Sequence, residues 1–451
     1  MAVTFDAALQ KGRLRAFQVL TFAICMLVLV GDGVDLQLLG LVAPVIIEDW
    51  GIDRGSFGWA MSAALIGMGF GAWIGGTVGD KVGRRNALAG AALVFGVATI
   101  AASQAHTVAE MTVWRMLGGL GFGAAFPNSL ALTSEWIPDR WRSYAITTLS
   151  VGTPAGGSVA AALAPGLLAA YGWRGTFVVF GLCTLCLIVL ILGLLRDSPP
   201  FLALKGKEDA ARRNARKVTD EEITFAADQG DSSQEASAQI GVFHPINRRM
   251  NWGVGIGFAA STLVAYLIIS WGTTLLTSAG FELEEALRTS FAVGITSIIG
   301  ALAAGYLARR FGSRAVMIGT SVILVIMSIA VALLLESVTG APEPTARLVI
   351  SSLVAGISGV VSTGIATIYV MMTLGYPQSC RSSGIGFGML TGRIGAIVAS
   401  FGGGYLIDLG DGSLLPFFVA MLGGAALVST AGFLVDRHVE SVKRAANAAS
   451  A

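Results

Sequence analysis

Gly31-Asp-Gly-Val-Asp-Leu-Gln-Leu-Leu-Gly40 places two carboxylates, Asp32 and Asp35, inside a run that carries no other charge from Phe17 to Ile47. At 1.5 Å per residue, Phe17 to Val30 gives only about 21 Å of helix, short of the ~30 Å hydrocarbon core. A membrane helix that begins there must therefore continue through both acids. An ionised carboxylate in mid-membrane costs at least a few kcal/mol, so such residues usually serve a pathway. At spacing i, i+3 the two side chains share one helical face and can answer to the same cavity. A loop at the membrane edge, with both acids hydrated, is the competing reading, and the length of the run disfavours it.

Working outward, the bulk composition agrees. Of 451 residues, 54% are hydrophobic and 13% charged, against about 25% charged in soluble domains. Hydropathy and breakers define twelve spans near bilayer length: 17–42, 56–78, 86–104, 109–134, 143–169 and 175–195, then 250–278, 286–307, 315–336, 345–374, 383–408 and 413–435. This predicts an all-α integral membrane protein with a first six-helix half at 1–195, a central polar loop at 196–249, and a second half with a short tail at 250–451. In the central loop, Thr219 with Glu222 has the form of a capping box for a short surface helix. The N-terminal apolar run is long, contains the two acids and lacks a cleavage site, so it reads as the first span rather than a signal peptide. Cys25, Cys183, Cys186 and Cys380 lie in or beside apolar stretches, which predicts packing rather than disulfides or metal binding. His106, His244 and His438 fall in loops, leaving no histidine for an intramembrane proton relay.

Orientation follows from lysine and arginine. With both termini in the cytoplasm, 24 of the 30 basic residues lie in inside segments, four (Arg54, Arg174, Arg288, Arg347) lie outside, and Arg115 and Arg393 fall within spans. The two halves also repeat. Gly76-Thr-Val-Gly-Asp-Lys-Val-Gly-Arg-Arg85 matches Gly305-Tyr-Leu-Ala-Arg-Arg-Phe-Gly-Ser-Arg314, and Pro138-Asp-Arg-Trp-Arg-Ser143 matches Pro377-Gln-Ser-Cys-Arg-Ser382. The offset grows from 229 to 239 residues, which an extra loop around Pro342–Pro344 can absorb. Parallel six-helix halves with a binding site between them near the midplane are a transporter architecture.

These residues resemble the major facilitator superfamily from end to end. Its loop motif G-x-x-x-D-(R/K)-x-G-R-R stands here as Gly76, Asp80, Lys81, Gly83, Arg84 and Arg85. Within it the chain is similar to the bacterial aromatic acid:proton symporters, through D-G-x-D at Asp32, Gly33 and Asp35. The fourth span adds Arg115, Gly119, Gly121, Gly123, Ala124, Ala125, Pro127 and Asn128, followed by Ser134-Glu135-Trp136, Pro138, Arg140 and Arg142-Ser143. In the second half Arg309 stands where the first has Asp80, so that copy is not expected to make the same contacts.

The resemblance implies proton-coupled uptake of a small aromatic carboxylate by alternating access, with spans 1, 4, 7 and 11 contributing to the cavity. Arg393, roughly 15 Å into its span, needs an anion and suits a carboxylate. Arg115, the next candidate after Arg393 for binding the substrate, lies at a depth matching Asp35, and the two can pair. Asp32 and Asp35 are the expected carriers of the coupling proton, in one cavity with the substrate. Gln37, Asn128, Tyr266, Trp271 and Tyr369 are weaker candidates for substrate contacts. Asp80, Arg84 and Arg85, with Glu135 and Arg142, form the expected cytoplasmic gate, because carboxylate–arginine contacts at helix ends can break when the halves rock. No metal or organic cofactor is expected, only the proton gradient. The partners are the substrate, protons and the lipid bilayer, without nucleic acid, in a monomer of the bacterial inner membrane. Gly152-Thr-Pro154-Ala-Gly156-Gly157 partly resembles an antiporter motif, so proton-coupled export of amphipathic compounds is the alternative.

Overall fold

In a computed structural model, residues 4–219, 221, 223, 241–337, 343–377, 380–410 and 413–438 are described. The first half comprises α1 (Phe5–Lys11), α2 (Ala16–Trp50), α3 (Arg54–Val82), α4 (Arg84–Ala102), α5 (Val108–Trp136), α6 (Asp139–Ser150) and α7 (Gly152–Leu194). Two short helices follow, α8 (Pro199–Leu204) and α9 (Glu208–Ala215). The second half comprises α10 (Arg248–Ser278), α11 (Leu283–Phe311), α12 (Ser313–Ser337), α13 (Pro344–Gly375), α14 (Arg381–Asp408) and α15 (Leu415–Leu434).

These helices make twelve crossings, six in each half. At about 1.5 Å per residue, the 43 residues of α7 would extend roughly 65 Å, twice a bilayer. Gly172, at φ 63 and ψ −176, breaks that helix in two. Its first part continues α6 as the fifth crossing and its second part is the sixth. This agrees with the break expected between 169 and 175. The first crossing differs from expectation: α2 does not stop near 42 but runs through Pro44 to Trp50. A single missing N–H removes one ladder bond, which a packed helix can absorb.

The internal repeat is visible in the backbone. Gly51 and Gly280 have φ of 62 and 83, and Gly83 and Gly312 have φ of 96 and 85. Each pair is 229 residues apart. At Gly83 and Gly312 one helix ends and the next begins, in a region that L side chains rarely adopt. The Pro342 part of the expected extra loop, and the Glu222 end of the expected capping box, lie outside the described residues. Thr219 itself accepts from the Glu221 N–H at 3.2 Å.

Successive crossings run in alternate directions, so the even-numbered ones all end on the side where the first begins. Residue 15, the segment after 194 and the end of α15 lie together at what we call the terminal end. The loops at 51–53, 103–107 and 279–282 lie at the far end. At the terminal end, α1 and the segment around Ala215–Val218 pack on the first half, with Phe5 and Phe17 both edge-on to the buried Trp136. α1 was not expected from the sequence.

The halves touch through α3 on α14, α2 on α10 and α7 on α11. The α3–α14 contact is tightest toward the far end. A Cβ at Gly58 would lie 2.1 Å from the Phe401 carbonyl oxygen, and one at Gly404 2.3 Å from that of Arg54. Near the terminal end of the same two helices, a Cβ at Gly76 or Gly386 would meet nothing within 4 Å. The α3–α14 seam is closed at the far end and open at the terminal end.

Candidate functional site

Arg393 stands twelve residues into α14, about 18 Å along a helix that crosses the membrane. Its Nη1 lies 2.9 Å from the Met68 sulfur of α3, a weak acceptor contributed by the other half. Among the described residues no carboxylate lies within 4 Å of it. Two phenols from the second half, Tyr266 of α10 and Tyr369 of α13, lie within electrostatic reach of this guanidinium. Tyr369 is held edge-on to Phe258 with ring centroids 5.0 Å apart. Thr262 donates to the Gly392 carbonyl at 2.7 Å, pinning α10 to α14 one residue from the arginine. Against this polar group sits an apolar cluster drawn from both halves: Leu65, Met68, Phe122 and Ala396, with Leu36 and Tyr266 packed on it. A half-buried cation, two hydroxyls and an apolar wall can hold a small planar anion.

The acids of the opening motif lie elsewhere. Arg115 donates from Nη1 to Asp35 Oδ1 at 2.7 Å and from Nη2 to the Asp35 carbonyl at 2.9 Å. Thr99 of α4 is a third donor to this residue and the second to its Oδ1, at 3.0 Å. Asp32 is 1% exposed and its Oδ2 has no hydrogen-bond partner. It faces a small void lined by Phe95, Gly121, Thr184 and Leu187, all of the first half. Both acids were expected to share the substrate's cavity; in the structure they face helices of the first half. Their common face turns into the first half because α4, α5 and α7 surround it, while α2 meets the second half along another stripe, at Gly40.

Gln37 and Asn128, expected as substrate contacts, are engaged in helix seams instead. Asn128 donates to the Gly75 and Ala124 carbonyls at 2.9 and 2.8 Å, tying α5 to α3. The Gln37 amide fills the space left by Gly157 on α7. Trp271 is fully buried and donates to the Ser400 carbonyl at 2.9 Å. The glycine file Gly67-Gly71-Gly75 packs directly on α5 backbone. Cys183 and Cys186, expected in packing, are exposed on the outside of the bundle.

At the terminal end, Arg84 of α4 bridges Asp80 of α3 and Glu135 of α5, the latter at 3.4 Å. The Arg85 backbone N–H donates to Asp197 Oδ1 at 3.0 Å, and the Arg85 side chain to the Leu192 carbonyl. Burial pushes the Asp197 carboxyl above its usual range, opposed by that N–H and by Arg85. Arg142 sits in the first turn of α6. Of the residues expected to form a gate, Asp80, Arg84 and Glu135 are brought together, and all three belong to the first half. In the second half, Arg310 turns back onto Tyr306 of its own helix at 2.6 Å. Met68, Asp197 and the far-end pair of Arg54 with Asp408 at 3.0 Å were not singled out from sequence. Each depends on a contact between residues distant in the chain.

The Major Facilitator Superfamily profile matches residues 25–400. The 4-hydroxybenzoate transporter PcaK of Pseudomonas putida is 31% identical, over 91% of this chain and 91% of its own. A gallate transporter of Pseudomonas putida is also 31% identical, over 94% and 92%. The xylose transporter XylE from E. coli, solved in a partially occluded inward open conformation, superposes with a TM-score of 0.69 at 16% identity, covering 95% of this chain and 99% of that one. The chain belongs to the Major Facilitator Superfamily, and its relatives within it are carriers named for aromatic acids.

Proposed function

We propose that this chain takes up a small aromatic carboxylate together with a proton, across the bacterial cytoplasmic membrane, with its terminal end in the cytoplasm. The observation that carries the substrate reading is Arg393, a cation in mid-membrane with a thioether for its partner, two phenols nearby and an apolar wall across from it. A carboxylate outcompetes a thioether for a guanidinium, since it accepts two charge-assisted bonds. The ring then lies against Leu65, Met68 and Phe122. Relatives named for 4-hydroxybenzoate, gallate and benzoate support this class of substrate. The lysine and arginine asymmetry supports the orientation.

The first half supplies the proton site. Asp35 already receives Arg115 and Thr99, so its charge is matched. Asp32, with an oxygen that receives nothing, is the acid with room for a proton. Protonating it removes an uncompensated buried charge, so the loaded halves can rock at lower cost. No cofactor takes part.

Binding of 4-hydroxybenzoate to purified protein, followed by calorimetry, tests the clamp. Arg393→Gln is expected to weaken it about a hundredfold, and Arg393→Lys about tenfold, because lysine keeps the charge but loses the fork. The neutral amide analogue should bind wild type and Arg393→Gln equally. If Arg393→Gln binds the acid as tightly as wild type, the anion site is elsewhere.

A further inference from the structure

The α3–α14 seam is antiparallel, and its contacts keep one register along its length. Met68 faces Arg393 near the middle, Gly58 faces Phe401, and at the far end Arg54 and Gly55 face Asp408. Asp408, on the last turn of α14, accepts from Arg54 Nη1 at 3.0 Å through Oδ1 and from the Gly55 backbone N–H at 3.0 Å through Oδ2. One carboxylate of the second half therefore holds both a cation and a free N–H in the first turn of a helix of the first half. That helix end also carries the positive pole of the macrodipole. Asp53 caps the same helix from its own half, bonding the Ser56 N–H at 2.7 Å, so the Gly55 N–H is left for Asp408.

We infer that Arg54 and Asp408 are positioning residues of the transport cycle, a cross-half latch that holds the far end shut. This goes beyond the proposed substrate and coupling, and does not depend on either. Three features separate the pair from an ordinary surface ion pair. It joins the two halves, whereas Asp80, Arg84 and Glu135 join helices of one half. It is backed by a backbone donor, which fixes the carboxylate's geometry. It also sits at the edge of a cleft of about 570 Å³ that opens at the far end between the halves, lined by Glu48, Asp53, Thr274 and Thr277 among others. Opening that cleft inward requires the α3–α14 contact at Asp408 to part. Closure at this end coincides with open space at Gly76 and Gly386, so breaking the latch should close the other end as the halves rock.

The test uses the full chain in liposomes with its four cysteines replaced. Thr277→Cys reports the far-end cleft to an impermeant maleimide added outside, and Gly76→Cys reports the terminal-end gap to the same reagent sealed inside. Asp408→Asn and Arg54→Gln are each expected to speed outside labelling about tenfold and to slow inside labelling by a similar factor. Asp408→Glu, which keeps the carboxylate, should stay near the parent at both sites. A latch that merely props the fold would give faster labelling at both positions, because unfolding exposes both. Parent-like rates in either neutral variant, or changes of the same sign at the two reporters, overturn the inference.

Discussion

Asp35 and Arg115 are 4% and 3% exposed, and each is the other's charge partner. Removing one side chain alone strands the other in a medium that cannot solvate it, a loss of about 3–5 kcal/mol. Arg115→Gln is therefore expected to be strongly destabilising in thermal unfolding of detergent-solubilised protein. The double variant Asp35→Asn/Arg115→Gln should recover most of the loss, since two neutral amides can bond each other. Additive effects of the two single changes would mean that the pair is not coupled. Arg393 behaves oppositely. It is the cation left without an anion, so Arg393→Gln should leave unfolding nearly unchanged while abolishing tight binding. The two intramembrane arginines are thus told apart by which measurement each one moves.

At the scale of helices, the seams set what can slide. Gly58→Val pushes a branched side chain onto the Phe401 carbonyl, which a Cβ alone would approach to 2.1 Å, whereas Gly76→Val enters open space. Overpacking of this kind costs about 1–3 kcal/mol. The midpoint of thermal unfolding in detergent is expected to fall by a few degrees for Gly58→Val and to stay near the parent for Gly76→Val. Equal effects would mean that the seam is not closed at the far end. The seams also show what the sequence could disclose. Span lengths, the break before Gly172 and the repeat at Gly83 and Gly312 were legible because bilayer thickness and positive φ constrain residues locally. Arg393 was legible because a charge so deep in an apolar span has few explanations. Arg54 and Asp408 were not, since each looks like an ordinary charge at a helix end, and only the register of two helices 354 residues apart brings them together. The seam contacts of Gln37 and Asn128 were hidden because a polar residue in a span serves a neighbouring helix as readily as a ligand. The partition of Asp32 and Asp35 into the first half was hidden too, because periodicity names a face but not what it faces.

Taken as a whole molecule, the two halves divide the labour unequally. The first carries the buried acids Asp32 and Asp35 with Arg115, and the second carries Arg393 with its two phenols. On the proposed coupling, Asp32→Asn fixes the protonated condition. That variant is expected to lose accumulation of 4-hydroxybenzoate against a gradient, yet to keep exchange of internal for external substrate, which needs no net proton movement. Asp32→Asn that still accumulates substrate under a proton gradient would remove Asp32 from the coupling. The same four residues imply something about electricity. Asp32, Asp35, Arg115 and Arg393 are the carboxylates and guanidinium groups deep within the described crossings, two of each sign. With the site empty and Asp32 ionised they sum to zero. With one substrate anion on Arg393 and one proton on Asp32 they again sum to zero. Moving an elementary charge through 100 mV is worth about 2.3 kcal/mol, but on this count neither leg of the cycle moves one. Uptake should then be silent in a current recording, and its extent should follow the pH difference while ignoring a potassium diffusion potential imposed with valinomycin.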